Sequence, residues 1–483
     1  MKTNPNSAQP FELFSRRVSL TSVETFHALA GTKAFPNVVV TRCEFEGNFD
    51  PALAKQAWEN VMNRQNMLVW NMSETGGGWF FLNPESEPDV RGFVDQTFSA
   101  MEVNEWVDEP LDRSMPGLND HGIPSIEAGE HGIRLFCTYC ESANRAELIF
   151  SAHHALIDGL AGVSIVRQWM ISYDNLVHQK LVSTGLPRID YERWKHRNHL
   201  GMLSWDYLKF LPHQAIGLFG ATKFVIRKFC VFEAAKPVGE SVASPGIVGT
   251  SIDAAVVGRL RETCVAHEVS ENAMVIALLF RVLERLRQRK PSPTGSSASA
   301  LSASASPWHR MILPMNIRDY ADRRIPCTNK TSLVQLDRKN CVDVGSVEMA
   351  KTIHREISII SNWKLDRIFL IVLRLASVFP FLLRKISTNQ KPRGTAVFAN
   401  LGEPFKPNRH ADFVNVGNLK RTRFDFSGPI REGTPINFTW QKYRDADGEV
   451  AGRLTLHFDP QIVSRRDAQW VLDCFLSEIQ SET

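Results

Sequence analysis

The sequence contains no uninterrupted run of the ~18 to 20 apolar residues that spanning a bilayer requires, which argues against a membrane-crossing helix. Its two most apolar stretches are broken, 203–226 by Lys209, His213 and Lys223, and 368–386 by Arg374 and Pro380. The opening MKTNPNSAQPFELFSRR lacks the apolar centre of a secretory signal, so the expected location is the cytoplasm. Net charge is nearly absent: 56 Lys and Arg against 52 Asp and Glu leave +4, too little for a nucleic-acid surface. A second Cys-x-x-Cys pair is also missing, so Cys137 and Cys140 cannot complete a zinc site, and on a strand they would face opposite ways. The eight cysteines are scattered as reduced, buried thiols are, and a disulfide framework is not expected.

What is present is enough apolar material for a large core, 43% of 483 residues, over two or three domain-sized units. Thr21 and Glu24 have the T-x-x-E spacing of a capping box, which announces a helix. Residues 38–45 (VVVTRCEF) are β-branched and aromatic, hence a strand. Asp50-Pro51 then offers a cap and a first-position proline for a helix whose inner face is Leu53, Ala57, Trp58 and Val61. Two short apolar runs, 132–139 and 146–152, read as paired strands, and Leu160, Val163, Val166, Trp169, Met170 and Tyr173 repeat at helical spacing after them. Residues 191–248 are mixed in character and read as a crossover. Helices are expected at 253–266 and 270–287, and largely over 351–386 with a break at Pro380. The Ser/Ala/Pro tract at 290–307 should be a disordered loop. Strands are expected at 311–317, 395–398, 435–440 and 452–458, before a closing helix over 467–479. The division that follows is an N-terminal lobe over 1–195, a crossover over 196–248 and a C-terminal lobe over 249–483.

The stretch SAHHALIDG (151–159) carries the chemistry: two adjacent histidines at the end of a strand, an aspartate and a glycine, in the pattern HHxxxDG. Transfer of an acyl group from a thioester to an alcohol or amine requires removal of the nucleophile's proton as it attacks, and imidazole titrates near 6.5. A histidine at a strand tip can be aimed into a cleft, and no serine or cysteine nucleophile is needed if the acceptor attacks directly. Asp158 suits a structural role, its carboxylate neutralised by an arginine, and Gly159 allows a sharp turn. On residue chemistry alone, a histidine pair closing a core strand before an ordinary Asp-Gly turn is an equal reading.

His153, His154, Asp158 and Gly159 match the signature of the chloramphenicol acetyltransferase-like superfamily of CoA-dependent acyltransferases. That superfamily includes non-ribosomal peptide condensation domains, alcohol acyltransferases, polyketide-associated acyltransferases and wax ester synthases. Other stretches resemble its pattern nearly end to end: 45–50 (FEGNFD), 63–68 (NRQNML), 313–318 (LPMNIR), 398–402 (FANLG) and 452–459. The plant branch's D-F-G-W-G is represented only by Asp425-Phe-Ser-Gly-Pro429, and the serine of the superfamily's S-N-x-G segment by Ala399. The resemblance implies an α/β (α+β) two-layer sandwich fold of two similar lobes meeting at a tunnel, with His154 as catalytic base and His153 structural. It pairs Asp158 with Arg318 and puts Asn400 and Gly402 at the tunnel wall. It also implies no metal and no tightly bound cofactor, an acyl-CoA or acyl-carrier-protein thioester as co-substrate, and a small alcohol or amine acceptor. A condensation-type enzyme joining carrier-bound substrates through an amide, or a non-catalytic relative that keeps the tunnel, is the alternative. The apolar stretches at 203–226 and 368–386 are ordinary core, or line a site for a long acyl chain with a shallow membrane contact.

Overall fold

The computed structural model describes residues 17–32, 35–75, 78–82, 89–106, 130–181, 185–198, 204–234, 246–289, 301–303, 306, 308–389, 391–408, 411–444 and 448–482. Two six-stranded mixed sheets, each covered by helices, organise the chain. In the first, the strand order is Asn415–Val416, Leu419–Ser427, Val38–Gly47, Arg145–His153, Ile133–Cys140, Phe98–Glu102. All its pairings are antiparallel except the last. Arg145–His153 is buried from its second residue to its end, as expected of a central strand covered on both faces.

Helix Pro51–Arg64 forms where its sequence announces it, with the Asp50 carboxylate accepting the Ala52 and Leu53 N–H groups at 2.8 and 3.0 Å. Its buried face, Ala54, Ala57, Trp58, Val61 and Met62, lies against helix Gly159–Val177 over the sheet. The second sheet runs Thr331–Lys339, Trp308–Asn316, Ala396–Asn400, Ile436–Arg444, Val450–Phe458, Gly246–Ile252, and helices Ala254–Ala266, Glu271–Gln288, Ser346–Asn362 and Arg465–Ser481 cover it. All eight cysteines are free and buried.

Several expectations need correction. A cut of the chain at 249 does not separate the sheets, because Leu419–Ser427 crosses back and pairs with Val38–Gly47. On that crossing strand the buried Asp425 takes Arg423 and Arg453, the latter from the second sheet, so one carboxylate ties the two together. Residues 301–303 are a strand paired with Phe232–Ala234 and not part of a disordered loop; residues 290–300, 304, 305 and 307 lie outside the described residues. Composition marks such a tract as loop because its stabilising pairing is remote in sequence. The helical expectation over 351–386 holds with two interruptions instead of one. Lys364 takes a left-handed conformation (φ 55°) after helix Ser346–Asn362, and Pro380 opens helix Pro380–Ser387 at its first position.

The crossover contains a 23-residue helix, Ser204–Ile226, which keeps Pro212 inside it. No single helix among the described residues is long and apolar enough to cross a membrane. Instead, this helix and the pair Ile368–Ser377 and Pro380–Ser387 expose large apolar side chains: Leu211, Leu218 and Phe219 on the first, Leu375, Val378 and Phe381 on or between the others. Phe219 is 80% exposed and Phe381 72%, whereas Leu370, Leu373 and Leu383 turn inward against Val23 and Phe26.

Candidate active site

The strand Arg145–His153 ends at the histidine pair, and backbone bonds fix both residues. His153 N–H donates to the Gly132 carbonyl and His154 N–H to the Asn37 carbonyl, each at 2.7 Å. The two rings then part. His153 is buried and its Nδ1 accepts the Ala155 backbone N–H at 3.2 Å. Burial, reinforced by neighbouring His154, pushes its pKa down to about 3, so the ring is neutral and spoken for. His154 is half-buried and borders a cavity. Its Nδ1 lies 2.8 Å from the Ile157 carbonyl oxygen, which can only accept, so Nδ1 carries the hydrogen and Nε2 keeps its lone pair. Burial lowers its pKa below 6.5, partly opposed by the Ile157 hydrogen bond and the Asp158 charge, so the unprotonated, proton-accepting form prevails at neutral pH.

Asp158 is 1% exposed and is not among the residues that line the cavity. Arg318 grips it through two parallel bonds of 2.8 and 2.9 Å, and the Lys330 N–H, Thr331 hydroxyl and Ala161 N–H complete its partners at 2.8 to 3.0 Å. Burial alone would raise its pKa, but the Arg318 charge and these hydrogen bonds outweigh burial and hold it below 3.8. The same carboxylate caps helix Gly159–Val177, so one residue sets the helix start, the loop and the grip on the second sheet. Asn329, beside this cluster, donates to the His154 carbonyl at 2.7 Å. Gly159 is needed for space: a Cβ there would meet the Phe426 ring at 2.8 Å.

The cavity lies between the two sheets. Val39, His154 and Phe426 border it from one side and Ile312, Leu333, Val397 and Asn437 from the other. Together with the open solvent at its mouth it comprises about 1070 Å³. Asn400 lines it but is exposed, bonding Asn272 at 2.9 Å, and its side-chain oxygen accepts the Gly402 N–H at 2.8 Å. Gly402 is not among the lining residues; its φ of +65° is a backbone requirement.

Three ionisable residues at the cavity went unmarked in the sequence. His27, on the capped helix Ser22–Ala30, lies against His154 with ring centroids 3.9 Å apart and the ring planes tilted by 30°. Burial, then competition with the adjacent His154 ring for a proton and the Arg431 charge, put its pKa well below 6.5. Arg393 and Arg431 complete the group, both against the Phe26 ring at 5.2 and 4.7 Å. The capping box pointed to the helix that holds His27 and Phe26, but no motif distinguishes those two, and nothing local brings the arginines to them.

The sequence matches no family model and no curated protein. Solved structures do match over nearly the whole chain. The first condensation domain of the calcium-dependent antibiotic synthetase, in complex with a substrate analogue, is 15% identical with a TM-score of 0.69, covering 97% of each chain. A trichothecene 15-O-acetyltransferase from Fusarium sporotrichioides is 12% identical with a TM-score of 0.63, covering 97% of this chain and 95% of that one. The starter condensation domain of rhizomide synthetase, a mutant in complex with C8-CoA, is 12% identical with a TM-score of 0.65, covering 96% of this chain and 94% of that one. The fold is the two-lobed one of condensation domains and CoA-dependent acyltransferases, as the sequence resemblance implied.

Proposed function

We propose that the protein is an acyltransferase that moves an acyl group from a thioester, on CoA or an acyl carrier protein, to a hydroxyl or amine acceptor. The acceptor attacks the thioester carbonyl as His154 Nε2 takes its proton; the carbon–sulfur bond then breaks and the proton passes to the departing thiolate. The observation that carries this reading is the hydrogen bond from Nδ1 to the Ile157 carbonyl, which commits one ring nitrogen and leaves the other unprotonated at the cavity. The fold supports it as well, being shared with an acetyltransferase and with a domain bound to an acyl-CoA. In this reading His153 and Asp158 are structural.

Thiol release from acyl-CoA plus pooled alcohols and amines tests it. His154→Ala should lower the rate by about 10²- to 10⁴-fold, the usual worth of a general base, with an unchanged circular dichroism spectrum. Activity of the parent enzyme should fall only on the acid side, below pH 6.5, because the lowered pKa keeps the ring neutral above that. Equal thiol release by variant and parent would remove His154 from the role. The neighbouring condensation domains favour a second reading, amide formation on carrier-bound substrates; activity with a loaded carrier protein and none with CoA thioesters would select it.

A peripheral membrane contact belongs to the same reading. The exposed apolar side chains of Ser204–Ile226 and of 368–387 are flanked by Lys209, Lys223, Arg374, Arg384 and Lys385, and no Asp or Glu occurs in 207–232 or 367–402. Lys223 and Arg384 pair with Glu356 and Glu74, which leaves Lys209, Arg374 and Lys385 beside exposed apolar side chains, a combination that complements an anionic lipid surface. The protein should sediment with vesicles containing phosphatidylserine and not with pure phosphatidylcholine, and Phe219→Ser with Phe381→Ser should abolish it. Sedimentation unaffected by the paired substitution would count against this face.

A further inference from the structure

Arg393 and Arg431 stand out as charge without compensation. Among the described residues neither has a carboxylate within salt-bridge distance, although both border the main cavity beside His27 and His154. Three buried arginines do have one, Arg197 with Glu24, Arg310 with Asp337 and Arg453 with Asp425, whereas the buried Arg421, away from the cavity, bonds the Phe413 carbonyl instead. Arg393 makes one hydrogen bond to the Ile386 carbonyl, and Arg431 is held by the Phe26 ring. No Asp or Glu is among the described residues that line the cavity. A smaller pocket shares Arg393, Arg431 and Thr434 with it and has one acidic lining residue, the exposed Glu432.

A half-buried guanidinium with no anion is costly, and two side by side are more so. Burial and then Arg393 push the Arg431 pKa down to about 9, so at neutral pH it is still charged, at a cost. A fold that keeps such a pair beside a reaction centre holds it for an anion that arrives with the ligand. The planar donor fork of arginine fits a carboxylate bidentately.

We propose that Arg393 and Arg431 form a carboxylate-binding subsite next to the His27–His154 ring pair, so that one of the two reactants carries an anionic carboxylate close to its reacting atom. Assignment to a reactant rests on the acyl-transfer reading; anion binding itself does not. The phosphates of CoA are the other anionic source, but they lie at the far end of the pantetheine arm from the thioester that His154 must face. Electrostatics adds a consequence. Arg431 is among the charges that depress both His27 and His154, so a bound carboxylate would relieve that and raise their proton affinity when the site is filled.

The binding test uses the intact protein, with glutarate and 3-hydroxybutyrate as probes against dimethyl glutarate and methyl 3-hydroxybutyrate, read by calorimetry. The acids should bind and the esters should not. Arg431→Gln and Arg393→Gln should each weaken acid binding about tenfold or more, the weight of a lost charge-assisted bond, while Arg431→Lys keeps part of it. Desulfo-CoA separates the sources: binding that loses the same factor in Arg431→Gln would assign the site to phosphate and overturn the carboxylate. Equal affinity for acids and esters would overturn it too. Thiol release with glutaryl-CoA against butyryl-CoA, and with 3-hydroxybutyrate against its ester as acceptor, then identifies the reactant. A parent that binds the acids yet releases no thiol would sink the acyl-transfer reading alone.

Discussion

Two sets of charges sit beside the cavity and are built in opposite ways. Asp158 is saturated, with Arg318, Lys330, Thr331 and Ala161 occupying its oxygens, whereas Arg393 and Arg431 share an aromatic ring and no carboxylate. The lesson is that the saturated carboxylate shapes the protein, whereas the arginine pair at the cavity is open to something from outside. HHxxxDG spelling does not distinguish these fates; the partners each charge finds do.

Breaking the saturated side should have the larger effect. Asp158→Asn leaves Arg318 buried against a neutral partner, and loss of one member of such a pair costs about 3–5 kcal/mol. Chemical denaturation should report that as a lower midpoint with an unchanged slope; a variant of normal stability would place Asp158 outside the structural role. The pH dependence sharpens the point. The folded pKa of Asp158 lies below its unfolded value of about 3.8, so its stabilisation is fully present above pH 3.8 and is lost as pH falls through the lower folded pKa. The acid limb of unfolding should therefore flatten in Asp158→Asn.

The unsatisfied side should respond weakly and with opposite sign. Arg431→Gln removes a charge whose folded pKa lies below its unfolded one, so the parent gains stability from this group as pH rises above 9, and at neutral pH the variant should melt at the same temperature or slightly higher. A marked drop in melting temperature would mean that Arg431 has a structural anion partner, and the contrast between the two sides would vanish.

Legibility followed sequence distance. The Thr21–Glu24 box, the Asp50-Pro51 helix start and the histidine pair at a strand end are decided within a few residues, and the fold realised all three. The Asp158–Arg318 pair spans 160 residues and was reachable only through resemblance. Strand Leu419–Ser427 could not be assigned to the first sheet, because its place depends on Val38–Gly47, at the other end of the chain. Arg393 and Arg431 are unremarkable letters in the sequence; their isolation from acids exists only after folding.

The capped helix Ser22–Ala30 has a wider reach than its nine residues suggest. Glu24 receives the Thr21 N–H at 2.7 Å and also two bonds from Arg197, both at 2.7 Å, inside the protein. Further along, the same helix presents Phe26 to Arg393 and Arg431 and then His27 to His154. Glu24 therefore acts as a remote anchor pin for the back wall of the reaction chamber. A lesion there would misalign groups that it never touches.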